Sequence, residues 1–163
     1  MPVFPQPRFS QKENVSMMGN PALFKVKKGN FEATIGVCSD DVLSDISRSE
    51  ISKGTGGPRD RFHDLASHLI RQKTFYPLFP PPIDSNFNIE WSDSDFFAMA
   101  EVPNILILPS QLNPFVKVVD GVVCINPGFM MRGDSSGTYA EISVNCIDGL
   151  PFSSCCRVDV VHL

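Results

Sequence analysis

The chain has 163 residues, of which 42% are hydrophobic, 20% charged and 10% aromatic. One core is expected, because independently folding units run about 100–200 residues and this composition is too apolar for a disordered chain. Fourteen Lys and Arg against eighteen Asp and Glu leave a net charge of −4, so no surplus of cations is present to neutralise a phosphate backbone, which argues against tight DNA binding by this chain alone.

The opening residues Met1 to Arg8 lack the apolar stretch of a signal peptide, and no run approaches the ~20 apolar residues of a membrane span. An intracellular setting is the expectation. Five cysteines, Cys38, Cys124, Cys146, Cys155 and Cys156, form no C-x-x-C pair and are odd in number, so reduced thiols are expected rather than a disulfide framework or a zinc knuckle.

In chain order, the prolines from Pro2 to Pro7 come first and predict an extended connector. Phe24 and Val26, the turn-like Lys28-Gly29-Asn30, and then Phe31, Ala33, Ile35 and Val37 alternating with Glu32, Thr34 and Gly36 predict two strands joined by a hairpin. Ser39-Asp40-Asp41 can supply the cap of a short helix carrying Val42, Leu43 and Ile46, which ends before Lys53 to Pro58. Asp60 can cap a second helix whose stripe of Phe62, Leu65, Leu69 and Ile70 runs up to Gln72. After a proline-rich connector at Pro77 to Pro82, strands are predicted at Phe96–Ala100, Ile105–Leu108, Phe115–Val119, Val122–Ile125, Thr138–Val144 and Cys156–Val161. Asp120-Gly121 suits a two-residue turn in which both residues take positive φ. Strands with a few helices imply an α/β or α+β layered sheet.

Few residues carry chemistry. His63 and His68 share a predicted helix at a separation of five, about 140° apart, and cannot chelate one metal as an i, i+4 pair would. His63 beside Asp64 reads as a solvated face, His162 as part of a terminus, and Asp93 and Asp95 as part of a polar connector. Gly54-Thr55-Gly56-Gly57 precedes a helix but lacks the Gly-Lys-Ser/Thr ending of a phosphate loop, and reads as a linker. Gly133-Asp134-Ser135-Ser136-Gly137 resembles a protease nucleophile loop only superficially and predicts a turn before the strand at Thr138, while Arg132-Gly133-Asp134 has no export context. The aromatic run Phe75, Tyr76, Leu78 and Phe79 is a candidate partner-binding anchor, its alternative being a connector packed on its own domain.

The run from Ile105 to Gly128 resembles the last metal-site segment of calcineurin-like metallophosphoesterases: an apolar strand, a ligand loop, Pro114, a hairpin turning at Gly121, and Asn126-Pro127-Gly128. Where active members of that family carry two histidine ligands, this chain has Ser110 and Leu112, with Pro109 in place of the preceding glycine. Leucine cannot bind a metal and serine is a poor substitute for imidazole. Adding Phe4-Pro5-Gln6-Pro7, Thr74 to Pro81, Ile35-Gly36-Val37-Cys38-Ser39, Glu50-Ile51-Ser52, the helix from Arg61 to Gln72 and Gly137-Thr138-Tyr139-Ala140, the chain is similar to the C-terminal part of the B subunits of the replicative DNA polymerases alpha, delta and epsilon, most of all the alpha branch.

That resemblance implies the C-terminal half of a degenerate phosphoesterase sandwich over residues 1–163, with the N-terminal half and the OB-fold absent and sheet edges left without partners. It implies no catalytic residue, metal or cofactor. The implied role is a nuclear, non-catalytic scaffold in initiation of DNA replication. Its expected partners are the C-terminal zinc-bearing tail of the catalytic subunit of DNA polymerase alpha and, indirectly, primase, with DNA met only through the complex. The alternatives are an active metal-dependent phosphodiesterase with unusual ligands and a B subunit of polymerase delta or epsilon.

Overall fold

Alternating apolar residues make the first hairpin, β1 (Ala22–Lys28) and β2 (Phe31–Val37), which pair antiparallel with Phe24 opposite Ile35 and Val26 opposite Ala33. The computed structural model describes residues 14–29, 31–51, 60–85, 95–133, 135–145 and 149–163. From β2 the chain enters α1 (Val42–Ser49), where Asp41 caps the helix by accepting from the Ser44 N–H at 3.1 Å. It then forms α2 (Arg61–Gln72), capped by Asp60. The glycine run at Gly54 to Gly57, the Pro2 to Pro7 connector, Asp93, Asp134 and Cys146 lie outside the described residues.

The run at 105–108 is apolar throughout because both of its faces are covered. Its strand β3 (Ile105–Ile107) lies parallel to β2 on one side and to β5 (Val122–Asn126) on the other, and β4 (Phe115–Val119) closes the sheet antiparallel to β5. The order is β1-β2-β3-β5-β4. The predicted Asp120-Gly121 turn is present, with φ of 48° and 85°. A small pair, β6 (Met131–Arg132) and β7 (Ser135–Ser136), precedes a second sheet of two strands, β8 (Thr138–Val144) and β9 (Cys156–His162), joined through the short α3 (Phe152–Cys155).

Strand alternation sorts the core into two layers. Leu106 and Cys124 face the helices and pack with Leu43, Ile46, Leu65, Leu69 and Phe75. Ile105, Val123 and Ile125 face the β8–β9 hairpin and meet Ala140, Ile142 and Val158. The mixed α/β class is therefore as read from the sequence.

One expected strand is corrected. Residues 95–97 form a 3₁₀ turn, and Ala98 makes only an isolated bridge with Thr74. The segment serves as a strap: Phe75 N–H donates to Phe97 O at 2.8 Å and Met99 N–H to Lys73 O at 2.8 Å, while the Ala98 N–H turns back to Asp95 O at 3.1 Å. His162 likewise belongs to a paired strand, opposite Thr138, rather than to a frayed end.

Candidate functional site

The parallel strands β2, β3 and β5 end side by side, which is where open α/β sheets place their binding crevice. Three loops meet there: 38–41 after β2, 108–114 after β3, and 126–128 after β5. Ser110 is fully buried at 0% exposure, and its N–H donates to the Asn126 Oδ1 at 2.9 Å. The same Oδ1 accepts from the Gly128 N–H at 2.9 Å, while Asn126 Nδ2 donates to Leu112 O at 3.1 Å and Asn113 O at 3.2 Å. Leu112 N–H closes the loop by donating to the Ser110 Oγ at 3.1 Å, and its side chain packs against the helix-side core. Both positions that the resemblance assigns to histidines are thus committed inward, one to a hydrogen-bonded turn and the other to packing.

Between them, Gln111 reaches outward to α1. Its N–H donates to Asp41 Oδ2 at 2.9 Å and its Nε2 to the Ser44 Oγ at 2.6 Å. Asp41 therefore caps the helix and fastens the loop with one carboxylate. Beside this contact lies a cavity of about 190 Å3, lined by Asp40, Asp41, Ser44, Asp45, Arg48, Gln111 and Phe129.

Each of its carboxylates is already engaged. Asp40 accepts from the Asn20 amide at 2.8 Å, and burial raises its carboxyl above the ordinary range despite that bond. Asp45, buried, pairs with Arg48 and accepts from the Tyr76 hydroxyl at 3.0 Å and the Ser85 hydroxyl at 2.5 Å. Burial foremost, and then the nearby Asp45 charge, push the Tyr76 hydroxyl up to about 12. Among the described residues, no three His, Cys, Asp or Glu side chains are placed to hold a metal ion.

The aromatic run is divided by burial. Phe75 and Tyr76 are 2% and 5% exposed inside the core, Leu78 packs against it, and Phe79 stands 77% exposed. The first two are fold residues in this structure, and Phe79 is the exposed member of the run. His63 and Asp64 of α2 approach to 3.6 Å. Cys38 and Cys124 are buried, and burial pushes both thiols up to about 12.

The sequence pattern does not mark Asn126, Gln111 or the Asp45–Tyr76–Ser85 network as parts of one site. Asn126 is legible as part of the Asn126-Pro127-Gly128 match but not as the residue that bonds the loop at 110–113, and Asp45 only as one more polar residue of a short helix.

A central mixed sheet with helices on one face and a two-stranded hairpin on the other defines a layered α/β protein whose loop cluster is held by hydrogen bonds. The sequence profile of the DNA polymerase alpha/epsilon B-subunit family matches residues 2–117, and the chain belongs to that family. Among its curated relatives, the chain is 32% identical over 151 residues to the B subunit of DNA polymerase alpha from Mus musculus, an alignment covering 86% of this chain and 24% of the relative. It is 33% identical to that of Schizosaccharomyces pombe, over 88% of this chain and 26% of the relative. With that of Saccharomyces cerevisiae the identity is 29%, over 84% and 23%. The chain thus spans about a quarter of the length of these relatives.

Proposed function

We propose that this chain is the C-terminal portion of an alpha-type B subunit and acts as a non-catalytic scaffold of the DNA polymerase alpha–primase complex in the nucleus. Its partner in this reading is the C-terminal zinc-bearing tail of the catalytic subunit. Primase is reached through that subunit, and DNA only through the complex. The observation that carries the reading is the loop at Ser110 and Leu112, in an otherwise matching segment of a B-subunit family member: serine is buried in a turn, leucine is partly buried against the helix-side core, and Asn126 satisfies the loop backbone. Such a loop offers shape and rigidity rather than a Lewis acid. The acidic balance of the chain favours a protein partner over a phosphate backbone.

The test is co-purification of the longer B subunit carrying this chain with the catalytic subunit's tail. A stable complex is expected, and a folded B subunit that fails to retain the tail overturns the proposal. At the aromatic run, Phe79→Ala should weaken the complex with the thermal midpoint unchanged, whereas Tyr76→Ala should lower the midpoint itself. A Phe79→Ala variant that binds as wild type removes that segment from the interface.

A further inference from the structure

The end of α1 and the start of α2 share one guanidinium. Arg61 donates from Nη2 to the Ser47 hydroxyl at 2.5 Å and to the Ser47 carbonyl at 3.3 Å, and from Nε to Glu50 at 3.2 Å. The Arg61 side chain is half exposed, and Ser47 stands half-buried in the last turn of α1. Neighbouring hydroxyls are placed differently. Ser44 is buried and its Oγ accepts from Gln111, Ser49 Oγ donates to Asp45 O at 2.9 Å, and Ser85 donates to the buried Asp45 carboxylate. The Ser47 oxygen, by contrast, already lies against a cation.

That contact coincides with a sequence signal. In Asp45-Ile46-Ser47-Arg48-Ser49-Glu50 a carboxylate follows the serine by three residues. At a helix start this spacing would make a capping box, but here it falls at the helix end, where Glu50 has already turned to an extended φ of −62° and ψ of 113°. A carboxylate three residues after a hydroxyl is also the spacing that acid-directed protein kinases read, and the last turn of an eight-residue helix frays readily enough to present it. A phosphate at a helix C-terminus is ordinarily repelled by the macrodipole. Arg61 removes that objection at Ser47, because it supplies the opposite charge and bonds the last-turn carbonyl as well as the hydroxyl.

We propose that Ser47 is a phosphorylation site for an acid-directed serine kinase, and that Arg61 receives the phosphate. The Ser47 Oγ attacks the γ-phosphorus of ATP: the new O–P bond forms, the bond to the ADP oxygen breaks, and the hydroxyl proton passes to the kinase's base. The phosphate brings three acceptor oxygens and nearly two negative charges, so it draws Arg61 away from Glu50 and pins the end of α1 to the start of α2. α1 is also the helix that Asp41 and Ser44 fasten to Gln111 and that Asp45 fastens to Tyr76 and Ser85. A charge added there acts on the element against which both the loop at 108–114 and the aromatic run are held.

The test treats the full chain with ATP and an acid-directed serine kinase, maps phosphate by mass spectrometry and follows its titration by phosphorus NMR. Ser10 and Ser92 carry Glu13 and Asp95 at the same spacing, so Ser10→Ala and Ser92→Ala are built in and the phosphorus signal belongs to Ser47. A Ser-x-x-Glu peptide in the same tube reports that the kinase is active. Ser47 should be modified, and Glu50→Gln should slow the modification about tenfold. In the folded phosphoprotein the second ionisation of the phosphate should lie about 0.5 below its value in urea, and Arg61→Gln should bring it back. Should Arg61→Gln fail to fold, the folded and urea-unfolded forms of the Arg61 protein still decide. The proposal is overturned if Ser47 stays unmodified while the peptide reacts, if Glu50→Gln leaves the rate unchanged, or if the phosphate titrates alike with and without urea.

Discussion

At Asn126, itself fully buried, a single side-chain amide serves four backbone groups from two loops, the Ser110 and Gly128 N–H bonds buried and those to the Leu112 and Asn113 carbonyls partly so. Asn126→Leu keeps the branched shape but leaves two N–H donors and two carbonyls without that partner, and should cost about 3 kcal/mol, read as a lowered urea midpoint at unchanged slope. A second residue-level prediction concerns alkali. In the fold Tyr76 stays neutral up to about 12 against an ordinary 10.0, and Cys38 and Cys124 up to about 12 against 9.0. Raised values in the folded state mean stability that is whole below pH 9, declines as the unfolded groups ionise, and is lost as pH climbs toward 12. Urea midpoints should therefore drop across pH 9–12, and Tyr76→Phe should flatten the part above about pH 10. At pH 8 both cysteines should resist iodoacetamide in the folded protein and react once it is unfolded.

The second helix shows how much local chemistry decides an element. Its start, its stripe and its end were legible: Asp60 accepts from the His63 N–H at 3.3 Å, the apolar residues repeat at helical spacing, and Lys73 ends it. Asp60 also meets Lys117 of β4 at 2.7 Å, and that ammonium is the main cause holding its carboxyl below the ordinary range. Asp60→Ala should cost about 1 kcal/mol through the lost cap. Lys73 adopts φ 49°, a conformation that disfavours side chains with a Cβ, so Lys73→Gly should raise stability by about 0.5–1 kcal/mol in thermal melts. The Phe96–Ala100 segment misled because two phenylalanines and a methionine at near-alternate positions satisfy a strand pattern. What they serve is a tertiary one, since Phe97 and Met99 reach the core from a strap bonded to residues 73–75. Periodicity records which side chains are buried, and a strap bonded at two points can bury them as well as a ladder does.

For the molecule as a whole, the layered class and both hairpins followed from alternation and turn chemistry, while the site was legible only where a residue type was missing. Ser110 and Leu112 stood out against a known loop. Gln111 bonding to Asp41 across 70 residues, and Ser110 to Asn126 across 16, leave no local pattern for a sequence to display. With manganese or zinc added, the thermal midpoint should stay unchanged, metal analysis after dialysis should find no stoichiometric ion, and a generic phosphodiester should not turn over. A bound dinuclear centre would contradict this directly. Fastening Gln111 to the first helix also bears on what the loop can accept. Histidine at positions 110 and 112 would place one ring in a sealed turn and the other against the helix-side core, with the amide of Asn126 still gripping the backbone between them. The loop is thus braced from two sides, by the first helix outside and by the Asn126 amide inside, so a bulkier or charged group placed in it has to break one of these holds before it can settle.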